Sequence, residues 1–326
     1  MEDLMRTRHR LIPVVLGVVL AAGGAHAQQK YPVRPIRLIV PYAPGGGTDI
    51  VARVIAQKLT EAFGASVVVD NRPGASGSIG IETGVRANAD GYTAIIVSAS
   101  YATNAVLSKL PYDAVNDVAP IALISETGFL VALHPSVPVK SIPDLIAYNK
   151  ANPGKLNYGT SGAGGINHLA TELFTQMTAT KMTHLPYKGT SLAMNELLGG
   201  HIQITFGAIA LMLPQVKANR LRGIAVTTAK RTRAAPDIPT VGETVTGYEA
   251  AQWFAVLGPK ALPKDIVARW NTEIDRIVQL PDVKERMAGE GLEPVGGSAE
   301  RFQAVLKRDV AKWQKVVKSG NIKAEI

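Results

Sequence analysis

Two glycine-rich stretches hold the residues whose types and spacing can do chemistry. The first, Pro41-Tyr42-Ala43-Pro44-Gly45-Gly46-Gly47-Thr48-Asp49, lies between a β-branched run and a stretch of helical periodicity. Glycine lets backbone amides approach a ligand with no Cβ in the way, and amides at a helix N-terminus form a site for an anion. The second stretch, Thr160-Ser161-Gly162-Ala163-Gly164-Gly165-Ile166-Asn167-His168, has the same strand-to-helix placement further along the chain. One such loop is equally well a turn in which Thr48 or Asp49 caps the helix. Two placed alike can face one carboxylated ligand from opposite sides.

Other chemistries fail on spacing. Gly45-x-Gly47-x-x-Ile50 and Gly162-x-Gly164-x-x-Asn167 both lack the third glycine of a dinucleotide fingerprint, and no phosphate loop ending in Lys-Ser/Thr occurs. Gly159-Thr160-Ser161-Gly162-Ala163 is not a nucleophile elbow. Ser161 therefore reads as a hydrogen-bond donor, and an exported hydrolase using Ser161 and His168 is the alternative, with no third group identified. His134, His168, His184 and His201 never fall four residues apart, and the chain has no cysteine, so no metal is expected. Lys188, in Pro186-Tyr187-Lys188-Gly189, is either a partner for a carboxylate or a solvated loop lysine. Lys307, Arg308, Lys312, Lys315 and Lys318 spread around a helix, which reads as a solvated face rather than a nucleic-acid stripe.

The elements that must position these loops alternate between short β-branched runs and helical periodicity, the pattern of a mainly parallel sheet with crossover helices. Ile36 to Val40 is the first strand, and Val51, Val54, Ile55, Leu59 and Phe63 mark a helix that stops at Gly64. Strands follow at Ser66 to Val69 and Tyr92 to Ser98, with a helix ending at Val85 between them. After about Leu130 the alternation repeats. Pro143 to Lys150 is helical, Leu156 to Tyr158 a strand, and Ile166, Leu169, Leu173, Phe174 and Met177 line one helix face. Lys181 to Leu185, a helix from Ser191 to Leu198, and strands Ile202 to Phe206 and Leu221 to Thr227 complete a second open sheet. Helices at Pro263 to Gln279 and Ser298 to Lys318 end the chain, and the apolar stripe Phe302, Val305, Leu306, Val310, Trp313 and Val317 must dock on a lobe already built.

The expected architecture is therefore α/β with two lobes, each an open mixed sheet flanked by helices. Residues 28–125 with 252–326 form the first, and residues 126–251 the second. The chain leaves the first lobe near Pro120 to Glu126 and returns near Tyr248 to Leu257, and two crossovers make a hinge. Ligands of open α/β sheets bind outside the carboxyl ends of strands, so facing lobes would enclose one between the glycine-rich loops.

Composition agrees with an ordinary globular chain: 326 residues, 46% hydrophobic, 31 glycines and a mean hydropathy of +0.10. Lys and Arg number 35 against 26 Asp and Glu, a formal charge of +9 that suits anionic ligands or a solvated basic surface. The first 27 residues read as an export signal: Arg6, Arg8 and Arg10 precede the apolar Leu11 to Ala25, and Ala25-His26-Ala27 is a small-x-small cleavage site. Pro13, Gly17, Gly23 and Gly24 argue against a retained membrane helix. The expected mature chain begins at Gln28 in the periplasm.

Read together, these segments resemble a known family along essentially the whole mature chain: the periplasmic solute-binding subunits of tripartite tricarboxylate transporters, called the TctC or Bug family. The resemblance is carried by Tyr31-Pro32, Pro41 to Arg53, Asn71-Arg72-Pro73-Gly74-Ala75, Asp90-Gly91-Tyr92-Thr93, Tyr158 to Leu173 and Pro186-Tyr187-Lys188-Gly189. Leu197 to Gly200, Pro236 to Val241, Trp253-Phe254 and Glu293 to Gly297 continue it in order. It implies a Venus flytrap that closes on a small carboxylate, without cofactor or covalent chemistry, and hands it to membrane permease subunits. Delivery to a sensor of a two-component system is the other destination. A monomer is expected, with no nucleic-acid partner.

Carried over residue by residue, the ligand contacts implied are Tyr42, Ala43, Gly45, Gly46, Gly47 and Thr48 from the first loop. Thr160, Ser161, Gly164, Gly165 and His168 come from the second, with Ser98, Ser100, Gly207 and Ala208 on the remaining walls and ordered waters bridging. The chain departs from the family pattern at Gly165, where Ser is frequent, and at Gly207, where Asp commonly follows the Phe. It departs again at Thr190-Ser191, where further glycines are usual.

Overall fold

A computed structural model describes residues 31–187 and 189–323. The export signal and its cleavage point, and Lys188, lie outside the described residues. β1 (Ile36–Val40) is buried on both faces, as a central parallel strand must be. It pairs in parallel with β2 (Val67–Asn71) and β3 (Thr93–Ser98). Between them run α1 (Gly47–Phe63), ended by Gly64 at φ +65°, and α2 (Ser78–Val85). α3 (Ser100–Leu107) follows β3.

β4 (Val118–Leu133) is sixteen residues long and carries the chain between lobes. Val118 to Gly128 pair antiparallel with β9 (Ala251–Pro259), whereas Phe129 to Leu133 pair with β7 (Ile204–Ala208) on one side and, from Leu130 onward, with β8 (Arg222–Val226) on the other. The strand order is β2-β1-β3-β9-β4-β7-β5-β6, with β8 and the short β10 (Glu293–Pro294) also on β4. β5 (Asn157–Thr160) and β6 (Thr183–Pro186) pair in parallel, and β5 pairs in parallel with β7. Each lobe thus has three parallel strands followed by antiparallel ones, in the same spatial order. The two sheets, expected to be separate, share β4.

In the second lobe α4 (Ile142–Ala151) precedes β5, while α5 (Ile166–Thr178), α6 (Thr190–Leu198) and α7 (Ile209–Lys217) follow β5, β6 and β7. Several ends differ from the sequence reading. The strand expected from Ile202 starts at Ile204, because the Gln203 amide donates to the Asn157 carbonyl outside the ladder. The strand expected from Lys181 starts at Thr183.

α8 (Lys264–Ile277) and α9 (Pro281–Gly289) pack with α1 around Leu38, Ile55, Trp270, Val283 and Met287. A second cluster, with Leu197, Ile202 and Met212, belongs to the other lobe. The largest runs through both, from Ile39 and Ile95 to Leu169 and Phe174. α10 (Ala299–Gly320) explains that continuity: it packs on α3, α5, α8 and β4, so its stripe docks on both lobes rather than on one. Phe302, Leu306, Trp313 and Val316 are buried along it, as is Asp309, whose carboxylate accepts from Trp253 Nε1 at 2.9 Å and lies 3.1 Å from Arg308 and 3.2 Å from Lys312. Among the described residues, no helix is long and apolar enough to cross a membrane.

Candidate functional site

A cavity of about 460 Å³ lies between the lobes at the carboxyl ends of the strands, a size typical of a small-ligand site. The first residues of α1, α3, α5, α6 and α7 (Gly47, Ser100, Ile166, Thr190 and Ile209) all line it. None of these five helices has a side-chain cap; their N-caps are Gly46, Ala99, Gly165, Gly189 and Ala208. Away from the cavity α4 and α10 begin on Ser141 and Ser298, whose hydroxyls accept from the Asp144 and Arg301 amides. The first amides of a helix have no partner within it, and each N-terminus carries about half a positive charge. Among the described lining residues none is a lysine, arginine or histidine, and Glu290 is the one charged side chain. Among the described walls, the groups that can offer positive charge to a ligand are therefore backbone amides.

The first loop is braced from behind. Asp49, buried in α1, accepts from the Gly45 amide at 2.9 Å, from Arg53 Nε at 2.9 Å and from Asn71 Nδ2 at 3.0 Å. Burial opposes its ionisation, but Arg53, the Gly45 amide and Asn71 outweigh it and hold the carboxyl below its usual range. Asp49 thus fixes Gly45, whose φ of +82° glycine adopts without strain. Thr48 is buried beside it, and Ala43 packs its carbonyl towards Gly46. The Tyr42 hydroxyl is buried without a partner in hydrogen-bond geometry. Burial pushes its phenol up, with Ser98 and Ser100 counteracting.

The second loop is braced by a ring stack. The Gly164 amide donates to His168 Nδ1 at 2.9 Å, which places the ring proton on Nε2. The imidazole stacks on His184 at 3.8 Å between centroids, and His184 stacks on Tyr158 at 4.9 Å. Burial, with His184 beside it, pushes His168 down to about 3, so it is neutral at pH 7. The Thr160 hydroxyl bonds the Gly162 carbonyl and lies 2.7 Å from His184 Nε2. Ser161 Oγ donates to Asn167 Oδ1 at 3.1 Å.

Of the residues singled out from sequence, Gly47, Ser100, Ser161 and Ala208 line the cavity directly. Gly45, Gly46, Gly165 and Gly164 shape the two loop backbones, and Thr48, Thr160 and His168 stand behind them. Ser98 is buried at the end of β3 under Tyr42. Gly207 faces Met212, whose side chain fills the space a Cβ would need. Sequence reasoning did not single out Thr127, Phe129, Thr190, Gln252, Phe254 and the segment 290–292 as walls. Gln252 Oε1 is buried there without a partner. Thr127, Phe129, Gln252 and 290–292 carry no local motif, because β4, β9 and the α9–β10 turn bring them in from distant sequence.

The cavity is closed on one side by a contact between lobes. Gly291, at φ +68°, lies so close to Ala210 at the start of α7 that a Cβ would stand 2.9 Å from the Ala210 Cβ. Thr127 Oγ1 donates to the Gly291 carbonyl at 2.7 Å.

Comparison with known proteins gives the same frame. Residues 51–322 match the model of the tripartite tricarboxylate transporter family receptor, TctC. The chain is 33% identical over 318 residues to Protein BugT of Bordetella pertussis, covering 95% of this chain and 97% of that protein. Among solved structures, R. palustris Rpa4515 with adipate is 36% identical with a TM-score of 0.75, covering 90% of this chain and all of that one. MatC from Rhodopseudomonas palustris with bound malate is 25% identical with a TM-score of 0.71, covering 88% of this chain and 100% of that one. A TctC solute binding protein from Polaromonas, 27% identical, gives 0.81 and covers 89% of this chain and 99% of that one. These proteins are solute-binding receptors and not enzymes, and they share the two-lobed periplasmic-binding-protein fold. By family match and by shared identity along nearly its whole length, the chain belongs to the periplasmic TctC/Bug family of tripartite tricarboxylate transporter receptors.

Proposed function

We propose that this receptor captures a small organic carboxylate between its lobes and delivers it to the membrane permease of a tripartite tricarboxylate transporter. The observation that carries the reading is the convergence of five uncapped helix N-termini on one cavity, with no lysine or arginine among its described walls. Oriented amides bind a carboxylate through charge-assisted hydrogen bonds without the desolvation cost of a buried cation. Adipate and malate, bound by the structural relatives Rpa4515 and MatC, are both carboxylates. Ordered waters would bridge part of the distance to Gln252 and Ser161.

Residues 28–125 with 252–326 would move against residues 126–251 about β4 and β9. A ligand touching both lobes only when they are close shifts the population towards closure by its differential affinity. Residues 1–27 would direct export and leave after Ala27, so the periplasmic form should begin at Gln28 by intact mass. The receptor reading is tested by thermal denaturation against adipate, malate and other small carboxylates beside their neutral amides. At 100 times Kd a ligand stabilises the native state by about 2.7 kcal/mol, a rise of a few degrees. A rise with a carboxylate and none with its amide supports the reading; equal rises with both refute it.

A further inference from the structure

A second and larger opening, a half-open groove of about 900 Å³, lies beside the first cavity and is not used by the reading above. One wall is the length of α7 and the loop at 232–234; the other is α9 and the strand β10. Its walls therefore come from both lobes. Leu213, Pro214, Ala288, Leu292 and Val295 supply an apolar floor. Lys217 and Arg233 stand on one side and Lys284 on the other. None of the three has an ion pair among the described residues, although Glu285 and Glu293 also line the groove. Glu293 is engaged: its carboxylate accepts from the Thr232 hydroxyl at 2.5 Å and the Arg233 amide at 2.8 Å. The groove and the first cavity share Ile209, Ala210, Gly291 and Leu292, but the Ala210 to Gly291 contact stands between them.

We propose that this groove is a second ligand site, for an amphipathic organic anion: a monocarboxylate with a hydrocarbon chain or an aryl group. The chain would cover the apolar floor, and the carboxylate would meet Lys217, Arg233 and Lys284. A cation cluster without that floor would suit any hydrated anion, and the floor without cations would suit a neutral hydrocarbon; the combination selects an anion with an apolar body. This chemistry differs from the first cavity, where backbone amides replace cations. An occupant touching α7 and α9 at once bridges the lobes, so it favours the same approach of Ala210 to Gly291 that closes the first cavity. Its binding and that of the first ligand are then coupled, and the coupling is reciprocal.

The site itself does not rest on the first-cavity reading; the coupling does. The test is calorimetric titration of decanoate below its micelle concentration into the wild type and two variants. One carries Lys217→Gln, Arg233→Gln and Lys284→Gln together; the other, Ser161→Trp, fills the first cavity. Circular dichroism first establishes that both retain the wild-type fold. The expected result is one-to-one binding to the wild type, at least tenfold weaker in the triple variant and still one-to-one in Ser161→Trp, where obstructed closure removes only the coupling and weakens binding less than the triple variant does. No binding to the wild type, no effect of the triple variant, or loss of binding in Ser161→Trp overturns the site. Adipate titrated with and without saturating decanoate then reads the coupling: an adipate affinity raised at least threefold supports it, and an unchanged one overturns it. Failure of adipate to bind at all counts against the first-cavity reading with this ligand and leaves the decanoate result standing.

Discussion

Replacing Gly47 by proline removes one amide from the cavity while leaving the scaffold intact. Gly47 is the first helical residue of α1, where proline's fixed φ is already that of the helix and the missing N–H is one of the unpaired ones. Gly46 before it sits at φ −79°, ψ 165°, the extended region required of a residue preceding proline. A Cβ at Gly47 would meet Phe254 Cζ at 3.6 Å, an ordinary contact. The ligand-free variant should therefore be as stable as the wild type or more so, by about 0.4–1 kcal/mol through the unfolded chain. Binding should move the other way. A hydrogen bond to a charged group contributes about 1.5–3 kcal/mol, so the carboxylate affinity should fall roughly 10- to 150-fold. Gly47→Ala keeps the amide and should stay within threefold. The assay pairs calorimetric titration of adipate, or of the strongest carboxylate from the thermal screen, with melting of the ligand-free proteins. A proline variant that melts normally and binds within threefold of wild type would refute the assignment of the α1 amides to the ligand.

Other perturbations have signs fixed by the structure. Gly291→Ala forces a side chain into a positive φ and against Ala210, so small-angle scattering should show a more open molecule and carboxylate affinity should fall at least fivefold; unchanged scattering contradicts the closing role of that contact. Asp309→Ala leaves the buried Trp253 Nε1 without its acceptor, while Arg308 and Lys312 keep Glu249 beside them, and should cost about 1–3 kcal/mol in denaturant unfolding; a loss under about 0.5 kcal/mol would contradict a stabilising role for the Trp253 bond. His168 has a folded value of about 3, below its unfolded value near 6.5, so its contribution is complete above that unfolded value and is lost as pH falls towards 3. The slope is about 1.4 kcal/mol per pH unit, and His168→Gln should lack that component of the stability-against-pH curve. Identical curves for the two proteins would contradict a neutral buried His168.

The sequence shows the parts of the site that a local requirement produces. Gly45 and Gly164 have positive φ, and a strand turning sharply into a helix needs that freedom, so both loops stand out as glycine clusters between β-branched and periodic segments. The parts brought by topology leave no local trace. The sequence pattern starts a helix at Ser191 and marks none at Ile209, and only the fold begins α6 at Thr190 and α7 at Ile209 and aims their amides at the same cavity as Gly47 and Ile166. The sixteen residues of β4 alternate poorly because much of the strand is buried on both faces, so its span across the lobes is hidden. Asp309 sits inside an apolar stripe, and its reason is Trp253, more than fifty positions away. His168 enters from sequence as an implied ligand contact, and its part as the acceptor that holds Gly164 emerges with the stack on His184.

In the proposed receptor, backbone amides at facing helix starts hold the ligand carboxylate. Nitrogen–proton correlation spectra during a carboxylate titration read those amides one by one. The largest downfield proton shifts are expected at Gly47, Ile166, Thr190 and Ile209, from both lobes and saturating together. Shifts confined to one lobe, or gathered around Lys217, Arg233 and Lys284 with these four unmoved, would contradict that role of the amides.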